Sequence, residues 1–270
     1  MKMDDRQFKK VLDWFGLSWD GYYKVRKGVK KRIRRHMQQC NCHTTDQYFE
    51  LLDKNLQCRE QCRILLTVSI SRFFRDHELW EVLEKRILPE LVVQNPDTVQ
   101  VWSAGCARGE EIYSFKILWD LLENRFALVP NLKAWATDMN PEYVAAARLG
   151  IYSASSLKEL PDELKDRYFE RIKKKPSFVL QDSIKQNISW KIVDLLCHDP
   201  PGKGFHLVFL RNNILRYCGE SLVQPIVKKV IESLTPGGYL IIGGKEKLPE
   251  TGGKIRACPH HSSIFRITLD

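Results

Sequence analysis

Apolar positions follow two regimes along this chain. Up to about residue 85 they do not alternate with polar ones as a half-buried strand requires, and they recur at helical spacing instead. Between Tyr22 and Met37, apolar Val25, Val29, Ile33 and Met37 come every four positions, which puts them on one stripe of a helix. A polar turn follows, Cys-Asn-Cys-His-Thr-Thr-Asp, and then a helix predicted over Gln47 to Asn55. Ile64 to Trp80 leads into a third helical stretch predicted to end near Leu88-Pro89. From about Thr98 apolar runs predict strands over Val99 to Ser103, Leu132 to Thr137, Ile188 to Val193, Phe205 to Leu210, Tyr239 to Gly243 and Ser263 to Thr268. Amphipathic stretches over Glu110 to Glu123, Pro141 to Leu149 and Leu222 to Leu234 predict helices between the earlier ones.

Strands joined by helical crossovers make a doubly wound, mainly parallel sheet. After Thr235-Pro-Gly-Gly238 two strands follow without a good helix between them, so the sheet is expected to finish with an antiparallel edge. The basic, weakly patterned stretch from Tyr168 to Asn187 reads as a small hairpin flap. The expected division is a helical N-terminal domain over residues 1–85 and an α/β domain over 86–270, with a small β insert within 166–190.

The chemistry concentrates where the first strand ends. Val101 to Glu111 reads V-W-S-A-G-C-A-R-G-E-E, strand into tight turn into helix, with Gly105 and Gly109 four positions apart. Glycine permits the sharp turn and lets a ligand approach the main chain, and the amides opening the next helix are expected to point at what is held there. The pattern lacks the three glycines of a dinucleotide fingerprint and the Lys-Ser/Thr of a phosphate loop. In a doubly wound sheet ligands sit at the carboxyl ends of the strands. There the chain places Asp138, Asp194-Leu195 and Arg211-Asn212. An acid at the end of the second strand is placed to accept from two ribose hydroxyls. The competing role for Asp138, capping the helix at Pro141, suits Asn140 better. A ligand with a ribose, no phosphates and a cationic part fits this set, and S-adenosylmethionine has those properties. Glu110 or Glu111 would meet its ammonium, although either acid also complements a helix dipole. Cys106 reads as a packing residue.

Composition narrows the setting. No apolar run approaches the roughly 18 residues needed to cross a bilayer, and the opening residues lack the apolar centre of a secretory signal, so a cytoplasmic protein without membrane insertion is expected. Eight cysteines are too few for a disulfide scaffold of this length. Cys40, Cys42 and His43 with Cys58 and Cys62 have irregular spacing for a zinc site, and no metal is expected. The net charge of +10 calls for an acidic partner or surface, without choosing between nucleic acid, lipid headgroup and acidic protein. It concentrates on the helix of Tyr22 to Met37, where Lys24, Arg26, Lys27, Lys30, Lys31, Arg32, Arg34 and Arg35 have no acid among them. Either this is a solvated face, or an anion-binding one.

These motifs together resemble the CheR family, the chemotaxis receptor methyltransferases. The resemblance spans nearly the whole chain: Y-Y-K-V-R-K-G-V-K-K-R-I-R-R-H-M, S-I-S-R-F-F-R-D, V-W-S-A-G-C-A-R-G-E-E-I-Y-S, A-T-D-M-N, R-L-G-I-Y, V-D-L-L, F-L-R-N-N-I-L-R-Y and L-T-P-G-G-Y-L-I-I-G-G. It implies a seven-stranded methyltransferase sheet, S-adenosylmethionine as methyl donor with S-adenosylhomocysteine as product, and glutamate side chains of a receptor as acceptor. The junction motif N-x-T-x-F-F-R places cofactor contacts at Ser69, Ser71 and Arg75, with Ser69 lacking the family's amide. The others fall at Gly105, Glu110 or Glu111, Asp138, Asp194, Leu195, Arg211 and Asn212. Phe73 and Phe74 read as core. Arg75, assisted by Arg216, would orient the acceptor carboxylate. Lys27, Lys31, Arg32, Arg34 and Arg35 would dock the acidic receptor helix. A monomer is expected, and nothing resembles an RNA-binding module. Three positions depart from the family: Arg216 stands where a tyrosine is usual, Ile112 where proline is, and Gly243-Gly244-Lys245-Glu246 replaces G-H-S-E. These departures leave two alternatives open, transfer to an RNA or small molecule and a non-catalytic docking protein.

Overall fold

The computed structural model describes residues 3–126, 128–173 and 175–268. In chain order the elements are α1 (Asp5–Trp14), α2 (Trp19–Tyr22), α3 (Arg26–Gln39), α4 (Thr45–Lys54), α5 (Leu56–Leu66) and α6 (His77–Val82), then a π-helical turn (Leu83–Ile87) and α7 (Leu88–Gln94). There follow β1 (Thr98–Ala104), α8 (Glu110–Glu123), β2 (Asn131–Asp138), α9 (Pro141–Leu149), β3 (Ile151–Ser153), α10 (Asp162–Tyr168), β4 (Phe169–Arg171), β5 (Ser177–Leu180), α11 (Asp182–Lys185) and β6 (Ile188–Ile192). The chain closes with β7 (Phe205–Leu210), α12 (Ile214–Tyr217), α13 (Glu220–Ser233), β8 (Leu234–Ile242), β9 (Ile255–Ala257) and β10 (Ile264–Ile267). Among the described residues no helix is long and apolar enough to cross a membrane.

Two compact units result. The first comprises residues 1–69 with 212–225, and the second residues 70–211 with 226–270. This division differs from the expected boundary at residue 85. Phe73, Phe74, Leu79, Trp80 and Leu83 are buried in the same core as Val101, Phe209 and Ile241 of the sheet, so the segment after Ser69 packs with the strands. The helix expected to stop at Leu88-Pro89 also runs on to Gln94. Proline interrupts a helix by lacking an N–H and crowding the preceding turn. Here it enters at the start of α7, after the π-helical turn has loosened the regular ladder.

In the second unit the main sheet has seven strands in the order β6-β2-β1-β7-β8-β10-β9. The pairs β6–β2, β2–β1, β1–β7 and β7–β8 are parallel, while β8–β10 and β10–β9 are antiparallel, so the expected antiparallel edge is present. β1 and β7 are central, and their continuous apolar character follows from burial on both faces. β9, only Ile-Arg-Ala, was not predicted, since three residues at an edge leave no period to read. The flap is a sheet of its own, β3-β5-β4, in which Ser177 to Leu180 pairs antiparallel with both neighbours. Lys174, in the same stretch, lies outside the described residues.

In the first unit the stripe on α3 behaves as its spacing predicts: Val29, Ile33 and Met37 are buried with Phe8, Val11, Leu12, Tyr48 and Leu52, and Val25 packs against that core. The return segment 212–225 is tied to the loop between α1 and α2. The Ser18 amide donates to the Tyr217 carbonyl at 2.8 Å, the Gly219 amide donates to the Gly16 carbonyl at 2.8 Å, and Leu17 bridges Cys218. Gly21 on α2 makes this possible, because a Cβ there would lie 2.1 Å from the Arg216 carbonyl oxygen.

That clearance predicts a reversal of the usual helix preference. Gly21→Ala is expected to destabilise the protein by about 2 kcal/mol through overpacking. Gly28→Ala on α3, whose added Cβ meets nothing within 4 Å, is expected to stabilise it by about 0.5–1 kcal/mol. Denaturant titration of both variants checks the pair of signs.

Candidate active site

The turn after β1 is built against the end of β2. The Gly105 and Cys106 amides both donate to the Thr137 carbonyl at 2.8 Å. The Ala107 amide donates to Asp138 Oδ2 at 2.9 Å, and the Asn140 amide donates to Asp138 Oδ1 at 2.9 Å. Gly105, Ala107 and Gly109 all have positive φ (77°, 49° and 88°). Gly109 is required on space as well, since a Cβ would sit 2.9 Å from the Tyr113 ring and 3.1 Å from Ala147. The Gly109 amide is spent on the Cys106 carbonyl at 2.9 Å. These four amides are thus spent within the turn and on the end of β2. A turn this tight satisfies its own donors internally, and what it offers outward is shape and rigidity.

Asp138 is 9% exposed, and each of its oxygens already takes one amide, leaving lone pairs for further donors. Burial raises its pKa, and the Asn140 and Ala107 amides oppose that rise. The cap of α9 falls to Asn140, whose side chain accepts from the Glu142 amide at 3.0 Å, with Pro141 in the first turn.

The two acids opening α8 differ. Glu111 accepts from the Ser103 hydroxyl at 2.8 Å and pairs with Arg211 at 3.2 Å. Glu110 is 3% exposed, and its Oε2 is buried with no hydrogen-bond partner. Burial raises the Glu110 pKa, partly opposed by backbone amides, Arg108 and the Ser71 hydroxyl. Burial raises that of Glu111 too, against the pull of Arg211 and Ser103. A buried carboxylate oxygen with no partner is costly unless something brings it a cation or a donor. Of the two acids left open by sequence, Glu110 is the one with a buried oxygen that has no partner at all.

Arg211, at the end of β7, ties three segments together. Its guanidinium is 3% exposed and donates to Glu111, to the Arg75 carbonyl at 3.1 Å and to Asp76 Oδ2 at 2.6 Å. The junction it grips is held in a strained path, with Phe74 at φ 53° and Asp76 at φ 64°. The Phe74 amide donates to the Ser114 hydroxyl at 2.9 Å, and Trp80 Nε1 donates to the Arg75 carbonyl at 2.8 Å. The Arg75 side chain donates to the Ile70 carbonyl at 2.8 Å and is half-buried.

The second unit thus brings Ser71, Arg75, Gly105, Glu110, Glu111, Asp138 and Arg211 into one connected framework. Asp194, just past β6, accepts from the Leu196 amide at 2.9 Å, and the adjoining Leu195 is buried. The neighbouring Val193 amide donates to the Asp138 carbonyl at 3.1 Å. Ser69, Asn212 and Arg216 belong to the first unit. There Arg216 lies on α12 with its guanidinium 6.0 Å from the Tyr217 ring centre. Of the proposed docking residues, Lys27, Lys31 and Arg35 are exposed at helical spacing on α3. Arg32 is not a free docking group: it donates to the Leu65 and Thr67 carbonyls at 2.8 and 2.7 Å, capping the end of α5. Arg34 is half-buried. Sequence reasoning missed Ser103, Asp76, Ser114 and Tyr152, whose hydroxyl donates to the Arg108 carbonyl at 2.7 Å. All four lie inside the strings that carry the family resemblance, and that was the available signal.

The contrast between the acids predicts opposite outcomes. Glu110→Gln is expected to raise the melting temperature of the ligand-free protein at neutral pH and to weaken cofactor binding on the order of 10–100-fold. A raised folded pKa contributes stability below the ordinary value of 4.5 that is lost as pH rises through the folded value. The gain from Glu110→Gln should therefore shrink in acid. Glu111→Gln is expected to cost about 3 kcal/mol by leaving Arg211 without its buried partner. Thermal melts across pH and cofactor titration of both variants check this.

The sequence profile of the family described as CheR methyltransferase, SAM binding domain, matches residues 69–264. A chemotaxis protein methyltransferase of Listeria monocytogenes is 30% identical, over 82% of this chain and 81% of its own length. Chemotaxis protein methyltransferase 1 of Pseudomonas aeruginosa is 31% identical over 70% of each chain. A probable chemotaxis protein methyltransferase of Rhizobium etli is 27% identical over 82% of this chain and 84% of its own. With a seven-stranded sheet ending in an antiparallel edge and a glycine turn closed by two acids, this chain belongs to the CheR methyltransferase family and carries its S-adenosylmethionine-binding domain.

Proposed function

We propose that the chain methylates glutamate side chains on the acidic helices of a chemotaxis-type receptor, leaving a methyl ester and S-adenosylhomocysteine. Alongside family membership, the observation that carries the acceptor is the exposed row Lys27, Lys31 and Arg35. Among the described residues none of the three makes an ion pair, whereas Arg26 and Lys30 on the same helix are taken up by Asp5. An uncompensated cationic row at one-turn spacing suits the acidic face of a helix. Such an enzyme would work as a cytoplasmic monomer, meeting the receptor's acidic helices there.

S-adenosylmethionine, when bound, supplies an electrophilic methyl group on a positively charged sulfur. Glu110 would hold its ammonium, and its buried Oε2 is the feature that fits the group. Asp138 would take ribose hydroxyls on its remaining lone pairs, with Ser71, Asp194, Leu195 and Arg211 completing the proposed contacts. A glutamate acceptor, with a reference pKa near 4.3, is already ionised at neutral pH and needs no strong base. What the chain must supply is alignment. Arg75 would do so, because its planar fork matches a carboxylate and its bond to the Ile70 carbonyl already fixes the side chain.

Incubation with methyl-labelled cofactor and receptor signalling-helix fragments, followed by mild base, tests the reading. Label released as methanol is expected. Base-stable label would assign a different acceptor, and bound cofactor with no transfer would make this a docking protein. Arg75→Ala should lower turnover on the order of 100-fold in a protein that still folds, since the groups that Trp80 and Arg211 grip at this residue are backbone.

A further inference from the structure

The first unit gathers sulfur and nitrogen in a way that irregular sequence spacing concealed. His36 and Cys40 lie one turn apart on α3, and Cys58 lies in the first turn of α5. One ligand atom from each of His36, Cys40 and Cys58 falls within 4.8 Å of the others. Cys40 Sγ is 3.6 Å from His36 Nε2. A tetrahedral zinc with bonds near 2.3 Å to sulfur and 2.0–2.1 Å to nitrogen would set those two atoms about 3.6 Å apart.

The imidazole also has an outer partner of the kind a metal-bound ring uses. His36 is 3% exposed, and its Nδ1 is 2.6 Å from the Tyr48 hydroxyl. In the tautomer that carries its proton on Nδ1, the Tyr48 oxygen accepts from Nδ1–H. That tautomer leaves the Nε2 lone pair aimed at Cys40. A ligating histidine whose other nitrogen is fixed by an outer hydrogen bond is the usual arrangement around zinc. Cys58 contributes from the first turn of α5. Its amide donates to the Asn55 side chain at 3.0 Å, which fixes that end of the helix. Cys42, past the left-handed turn residue Asn41, is the nearest further thiol in sequence, with its sulfur 3.6 Å from the Cys40 carbonyl.

We propose that His36, Cys40 and Cys58 form a binding site for a thiophilic divalent cation, zinc by its ligand chemistry, that pins the end of the basic helix α3 to α5. A structural role follows from the elements joined, because α3 and α5 share one core and Arg32 on α3 already reaches the far end of α5. A metal at the opposite end would hold α5 at both of its termini against the C-terminal half of α3, the half that carries Arg35.

The test uses the full chain, purified reduced and stripped with a chelator, and titrated with cobalt(II) alone and then with zinc. One cobalt per chain is expected, with a sulfur-to-cobalt charge-transfer band and the intense visible bands of tetrahedral cobalt, both abolished by zinc. Cys40→Ser and Cys58→Ser should each weaken cobalt binding by 100-fold or more, and Tyr48→Phe on the order of 10-fold. Absence of the charge-transfer band, or an unchanged band in folded Cys40→Ser and Cys58→Ser, overturns the site. A measurement without substitution guards against variants that fail to fold. Zinc should slow alkylation of Cys40 and Cys58 at least 10-fold while leaving the exposed Cys197 unaffected, and equal rates with and without zinc overturn the proposal.

Discussion

Four main-chain amides converge on the last two residues of β2, and the rest of the site hangs from that convergence. The Thr137 carbonyl takes two and the Asp138 carboxylate takes two. Because β1 and β2 are paired in parallel from Thr98↔Asn131 to Ala104↔Thr137, the register delivers the turn to that acceptor pair. The turn in turn fixes where α8 begins, and so where Glu110 and Glu111 stand. A carboxylate doing this work cannot be judged as a ligand contact alone. Its loss would release the turn as well as any hydroxyl it holds.

Burial sets the electrostatics above the turn. Arg211 compensates Glu111 and Asp76 and grips the Arg75 carbonyl, so one guanidinium links the strand end, the junction and the helix head. Glu110 is left outside this arrangement. Stability and binding are thereby set against each other within two adjacent residues. The compensated acid holds the protein together, and the uncompensated one is kept at a cost that a cationic ligand would remove.

Most of this was legible in sequence where period or chemistry repeats. The helices Glu110 to Glu123 and Pro141 to Leu149, the strand Phe205 to Leu210 and the antiparallel edge have the bounds and sense their patterns predict. The stripe of Val29, Ile33 and Met37 is core for the same reason. What escaped was decided by contacts between segments far apart. Phe73 and Phe74 look helical in company with what precedes them, yet their rings pack with the sheet. Arg32 reads as one more cation in a basic run, and only the carbonyls of Leu65 and Thr67 give it a different task. That the amides of Gly105 to Ala107 are spent on Thr137 and Asp138 follows from the β1–β2 register, which no local pattern states. Choosing between Glu110 and Glu111 needed Arg211, 100 positions away from the acid it compensates.

The return segment 212–225 has a corollary for exchanging parts of the chain. It lies inside the stretch that matches the cofactor-binding family, yet folds into the helical unit with α2. The chain passes between its two units three times, after residues 69, 211 and 225. The helical unit is consequently not a detachable N-terminal module. A chimera that exchanges residues 1–69 between relatives would inherit the host's α12 against a foreign α2, where a single carbon at position 21 decides whether they close. Moving this helical unit into another chain would mean moving both of its stretches, 1–69 and 212–225, together.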